Sequence, residues 1–319
     1  MSSTGSCVNC EKEAKWRCSG CIGAPEYTPG DALPVFYCGV SCQEAHQPVH
    51  KDHCKTMRRR KKLLRTAVIA KAAFLGYREL NFDLGVTNIE RRDNNLYLST
   101  NSMILDRNSL ALGRPFPENL TTDPKHQEAV LTWLQGITAC PLSCRLVTKL
   151  LAGVPCDIFM MGVNVGKRSL NIQVVPRSDS VDITGPDTAG MPHHILKVRV
   201  RQPGTDETWI MDLTGAQYGI QAALTPYSKY MADQECSIVG NPEPYNMTET
   251  WDLDVASAKL EEVFREVLSS VRQPRLRFAA FVDTVDEEIL KGSPEGFIHK
   301  LAQFRVALKQ YMLNESQNP

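Results

Sequence analysis

The chain has 319 residues, 42% of them hydrophobic and 23% charged, with a formal net charge of zero. That length suits one small module plus one or two ordinary domains, with ample apolar material for a packed core. Zero net charge supplies no whole-molecule field for nucleic acid or a membrane surface, so an electrostatic partner has to be sought locally.

The first residues, MSSTGSCVNC, lack the basic start and apolar run of a secretory signal. No stretch approaches the ~18 uninterrupted apolar residues of an ordinary membrane-spanning helix. The expected compartment is therefore nucleus or cytoplasm, where thiols stay reduced. Seven of the 11 cysteines nevertheless fall within the first 54 residues. Under reducing conditions that clustering points to metal.

Cys7 and Cys10 form one CxxC, Cys18 and Cys21 a second, Cys38 and Cys42 a CxxxC, and His50 and Cys54 an HxxxC. A CxxC turn lets two thiolates converge on one ion, and i, i+4 spacing puts His50 and Cys54 on one helix face. Eight such donors suffice for two closed tetrahedral sites, and Zn²⁺ is the ion that suits closed thiolate and imidazole sites. His46 and His53 read as surface histidines beside a complete set. A module this small depends on metal to fold.

This pattern, with Tyr37 before Cys38 and Gln43 after Cys42, resembles the MYND-type zinc finger. The family's interleaved ligation implies one zinc on Cys7, Cys10, Cys38 and Cys42, and the other on Cys18, Cys21, His50 and Cys54. The resemblance also implies a protein partner, commonly a short proline-containing peptide. Two features depart from the family: Gln47 stands where a tryptophan is usual, and the segment between Cys21 and Cys38 is long and rich in Pro and Gly.

Next comes KDHCKTMRRRKKLLR, residues 51–65, with eight basic residues and one acidic. It reads as a solvated helix or a nuclear localisation signal. No aromatic residues interleave its charges, so it does not point to nucleic acid. The expected organisation is a finger over residues 1–55, a basic helical connector over 56–80 and an α+β domain over 81–319.

TAVIAKAAFLGYREL continues as a helix, and NNLYLSTNSMIL as a strand or hairpin. DPKHQEAVLTWLQGI starts a helix with Asp123 as cap and Pro124 in the first turn. TACPLSCRLVTKLLAGVP reads as another, with Pro141 at the first helical position and Gly153 as the stop. CDIFMMGV, RSLNIQVVP, HHILKVRVRQ and ETWIMDLTG read as strands. DVASAKLEEVFREVLSSVRQ and EGFIHKLAQFRVALKQYML are amphipathic helices. Helices, a strand-rich centre and helices again make an α+β domain.

A thiol opening a helix, a histidine opening a strand and an aspartate ending the next strand could supply nucleophile, base and orienter. In the order Cys140, His193, Asp212, with Thr214 following, this resembles the transglutaminase-like branch of papain-type cysteine enzymes. The resemblance implies that Cys140 attacks an amide carbonyl, His193 acts as base and Asp212 orients it. Cys144, one turn further on, and His194 remain alternatives, and Ile195 replaces the usual aromatic. Cys156 reads as core and Cys236 has no evident partner. The phosphate-binding glycine motifs are absent, as is the NHxC core of the SET methyltransferases found in some MYND proteins. The expected function is recruitment of a protein partner by the finger, in transcriptional or protein-modification regulation. The alternative is a cysteine-dependent amide hydrolase or acyl transferase targeted by it.

Overall fold

A computed structural model describes residues 4–100, 114–176, 191–202, 204, 206–258 and 262–314. The finger contains two short ribbons. β1 (Gly5–Ser6) pairs with β2 (Glu13–Ala14), and β3 (Trp16–Arg17) with β4 (Phe36–Tyr37). A single helix of 41 residues follows, α1 (Val40–Leu80). The boundary expected at residue 55 therefore falls inside a helix. Its first third belongs to the finger, and Leu63, Ala67, Ala70, Phe74 and Tyr77 sit in the main core of the body.

β5 (Val86–Arg92) and β6 (Asn95–Thr100) form a hairpin, turned at Asp93 with φ 53°. The expected strand over 94–105 is its second arm; residues 101–105 lie outside the described residues. The first arm, VTNIERR, is almost wholly exposed and carries no apolar alternation to reveal it. α2 (Pro124–Thr132) starts as expected, with the Asp123 carboxylate accepting from the Lys125 amide at 2.8 Å. It stops at Trp133 and Leu134 (φ 56°), and α3 (Gly136–Leu150) leaves at 95°.

β7 (Cys156–Asn164), β8 (Asn171–Pro176), β9 (His193–Val200) and β10 (Glu207–Met211) lie where the sequence places strands. β11 (Leu224–Pro226), α4 (Tyr227–Asp233) and β12 (Ser237–Pro244) are additional to the expected elements; β12 is exposed at every residue. α5 (Trp251–Ser257), α6 (Glu262–Thr284) and α7 (Pro294–Asn314) complete the body. The fold is α+β, as expected. Among the described residues no single helix is long and apolar enough to cross a membrane.

Among the described residues the body has two sheets. One runs β11-β10-β9-β7-β12, antiparallel throughout; the other runs β5-β6-β8, with β6 and β8 parallel. Alternation along the five-stranded sheet sends Leu196, Val198, Trp209 and Met211 into the core shared with α1, α3, α6 and α7. Ile195, Ile210, Met161 and Val163 face the opposite side, under Tyr218 and Tyr230. α2 covers the small sheet with Val130 and Leu131.

Arg60 fixes the finger to the body. Its guanidinium donates to both Asp31 oxygens at 2.8 Å and to Glu207 at 2.6–3.0 Å. Asp31 belongs to the long segment between Cys21 and Cys38, and Glu207 opens β10. Tyr27, from the same segment, packs on Trp209 and accepts from the Thr208 amide at 3.2 Å. Other basic residues are also engaged: Lys61 donates to Ser19 O, Lys62 to Ala152 O, and Arg65 to Leu290 O and Gly292 O. Part of the basic run is thus structural, contrary to a uniformly solvated face.

Burial opposes charge on Asp31, but Arg60 and the amides of Thr28 and Tyr27 override it and hold the carboxyl down to about 2. Its stabilising contribution is present above the ordinary carboxylate range and lost as pH falls towards 2. Arg60→Met would leave Glu207 buried without its charge partner. We expect a loss of about 3–5 kcal/mol in chemical denaturation, and less for Asp31→Asn, whose side chain is partly exposed.

Candidate functional site

Cys7 follows β1 and Cys10 completes its turn, closed by the Cys7 amide on Lys12 O and the Glu11 amide on Cys7 O, each at 2.8 Å. Cys38 follows β4, and Cys42 lies in the first turn of α1. These four form one group, with Cys10–Cys38, Cys38–Cys42 and Cys42–Cys10 sulfur separations of 3.5, 3.5 and 3.7 Å. The second group takes Cys18 and Cys21 from the turn after β3, and His50 and Cys54 from successive turns of α1. Its Cys18 and Cys54 sulfurs are 3.6 Å apart, and His50 Nε2 lies 3.2 and 3.4 Å from Cys18 and Cys21.

Tetrahedral ligation at ~2.3 Å sets sulfurs about 3.8 Å apart, so both donor sets fit zinc, the all-thiolate one and the one that includes an imidazole. Both are closed by protein donors, the arrangement of structural rather than catalytic zinc. Residues 7–54 match the MYND finger family. No curated protein and no solved structure matches the chain, so the comparisons give the body no family.

The MYND finger holds two zinc ions, on the two ligand sets expected from the sequence. The sites differ in exposure: Cys10 and Cys38 of the all-thiolate set are exposed, whereas all four donors of the set with His50 are buried. His46 stays outside both groups, its Nδ1 3.0 Å from the Tyr37 hydroxyl and its ring stacked on His50. His53 is exposed. Gly20 is a further requirement that ligand spacing did not reveal. A Cβ there would lie 2.5 Å from Cys54 Sγ, so the backbone passes the site only without a side chain.

In the body, His193 Nε2 lies 3.0 and 3.1 Å from the two Asp212 oxygens, and the Tyr230 hydroxyl donates to Asp212 at 2.8 Å. Burial opposes charge on Asp212, but His193 and Tyr230 hold its carboxyl below the usual range. The expected histidine and aspartate thus meet. His194 points to the other side of the strand and is only half-buried.

Cys140 does not join them. α3 begins at Gly136, so Pro141 lies inside the helix and Cys140 is one turn in, away from the amide dipoles that would favour a thiolate. Cys140 is packed in the core on the Leu196 face, whereas His193 and Asp212, two residues from Ile195 and Ile210, share the opposite face with them. Burial pushes its thiol up, and no hydrogen bond links its sulfur to His193. Cys144 is also buried with its thiol pushed up, and receives the Met247 amide at 3.5 Å. Gly136 of α3 stands close to the imidazole; a Cβ there would lie 3.7 Å from His193 Nδ1. Cys156 and Cys236 are half-buried against the cores, outside both metal groups.

Zinc content checks the two ligand sets separately. Atomic absorption should find two ions per chain, falling by about one with either Cys10→Ser or His50→Ala. Gly20→Ala should also cost the ion held by His50 and Cys54, since its Cβ displaces Cys54.

Proposed function

We propose that the protein is a zinc-dependent interaction protein, whose finger presents a docking surface for a protein partner and whose α+β body is a scaffold fixed to it. The observation that carries this reading is where the exposed apolar side chains lie. Val8, Trp16, Leu33, Val40 and Val49, five of the fifteen large hydrophobics exposed among the described residues, belong to the finger or the start of α1. Metal ligation explains none of them. Val8 and Leu33, 49% and 66% exposed, border a groove of about 490 Å³ with Pro34, Val35 and Phe36. Exposed apolar groups rimmed by polar ones mark interaction surfaces.

The occupant we assign is a short, extended, proline-containing segment of a partner protein, acting in transcriptional or protein-modification regulation in the nucleus or cytoplasm. Gln47 is exposed and supplies no aromatic platform, so the groove beside Val8 and Leu33 takes that part. The thiol-enzyme alternative finds less support, because Cys140 and Cys144 are buried with their thiols pushed up.

Selection from a library of short peptides on the zinc-loaded full chain tests this. Enriched proline-containing peptides should bind wild type and lose about tenfold or more in affinity with Leu33→Asp or Val8→Asp. Failure to enrich any peptide, or binding indifferent to both substitutions, would overturn the reading.

A further inference from the structure

A cavity of about 190 Å³ lies at the start of α3, against the first residues of β9. Its wall is mainly apolar, from Leu134, Ile137, Met191, Pro192 and Tyr218. Gly136, His193, His194 and Gln217 complete it, and no residue with a permanent charge takes part. Gln217 is committed elsewhere, accepting from the Leu134 amide and donating to Thr214 O, each at 3.1 Å. Apart from the Tyr218 hydroxyl, the polar character of the wall therefore rests on the two histidines.

His193 is buried to within a few per cent, and its Nε2 is committed to Asp212. Asp212 also accepts from the Thr214 amide and the Tyr230 hydroxyl, so it is the acceptor of the pair and Nε2 the donor. Nδ1 has no partner among the described residues and is shielded from solvent. It faces the niche over Gly136, 3.7 Å from the point a Cβ would occupy. A buried ring nitrogen without a partner is costly, and such groups commonly mark a place where something binds. Gly136 and Ile137 also open α3, where first-turn amides have no intrahelical carbonyl and favour an electron-rich oxygen.

We infer that this cavity binds a small uncharged molecule, one ring in size, carrying a single hydroxyl that engages His193 Nδ1 in the niche over Gly136. Size follows from volume: an apolar cavity of about 150 Å³ accepts benzene, so this one accommodates a substituted ring. A hydroxyl suits the polar end because it can donate to Nδ1 while its oxygen accepts from an amide. An uncharged body suits the apolar wall, which offers no counter-charge to a buried ion. The site is independent of the finger and its peptide partner.

The test is NMR of the zinc-loaded full chain with labelled histidine nitrogens, titrated with p-cresol and in parallel with toluene. The His193 signal is identified by its disappearance in His193→Gln. p-Cresol should shift His193 Nδ1 saturably, with Kd on the order of 1 mM, and toluene should bind at least about fivefold more weakly. Gly136→Ala should abolish the shift by filling the niche. That Cβ would also approach His194 N at 3.0 Å, so Ile137→Trp is the second variant. Ile137 is 43% exposed at the cavity, and a larger ring there should block binding while the protein stays folded. The inference is overturned by no saturable shift up to the solubility of p-cresol, by equal binding of toluene, or by a shift that survives Ile137→Trp.

Discussion

One helix carries both halves of the molecule. His50 and Cys54 of α1 close the second zinc site, and its next turns supply the Arg60 ion pairs before Leu63 and Ala67 enter the body core. A hydrogen-bonded helix transmits orientation, because its i to i−4 ladder leaves no soft dihedral between the ends. The finger is therefore not a bead on a linker. Pro48 lies inside α1, where proline removes a ladder bond and ordinarily kinks or breaks a helix. Cys42 lies before it and His50 after it, in different zinc groups, so ligation holds the helix on both sides of its weakest turn.

The second tie is the buried guanidinium. Arg60 lies between the carboxylates of Asp31 and Glu207, and beside the Tyr27 and Trp209 rings. Such a cluster is weak evidence for net stability, because desolvation offsets much of the Coulombic gain. Its value is positional. Planar forked donors accept carboxylates in few orientations, so the pairs set the angle at which the long segment before Cys38 meets β10. The departure from the usual finger length thereby acquires a physical role: this segment is the contact between finger and body.

Legibility in the sequence followed the range of the interactions. Metal ligands were readable because coordination chemistry fixes donor type and spacing within a few residues, and the helix cap at Asp123 was readable for the same local reason. The Arg60 pairs were not, since Glu207 is 147 residues away and nothing in RRRKK singles out the last arginine of the run. The expected start of α3 is misplaced because Pro141 carries a strong first-turn signal, while Gly136, a poor helix former, carries none. That shift put a thiol at a helix N-terminus that belongs to a glycine. His193 and Asp212 stand at the ends of neighbouring strands, a local pattern visible in the sequence, and their side chains are in contact. What the pair faces depends on packing of α3 against β9, which periodicity does not encode.

Rigid union of finger and body is the central claim, and residual dipolar couplings measure it directly. Backbone amides of residues 5–54 and of the five-stranded sheet would be recorded on the zinc-loaded chain in one alignment medium. A single alignment tensor should fit both sets. Two tensors of different magnitude, with the finger's smaller, would mean that the finger moves independently and would contradict the rigid union.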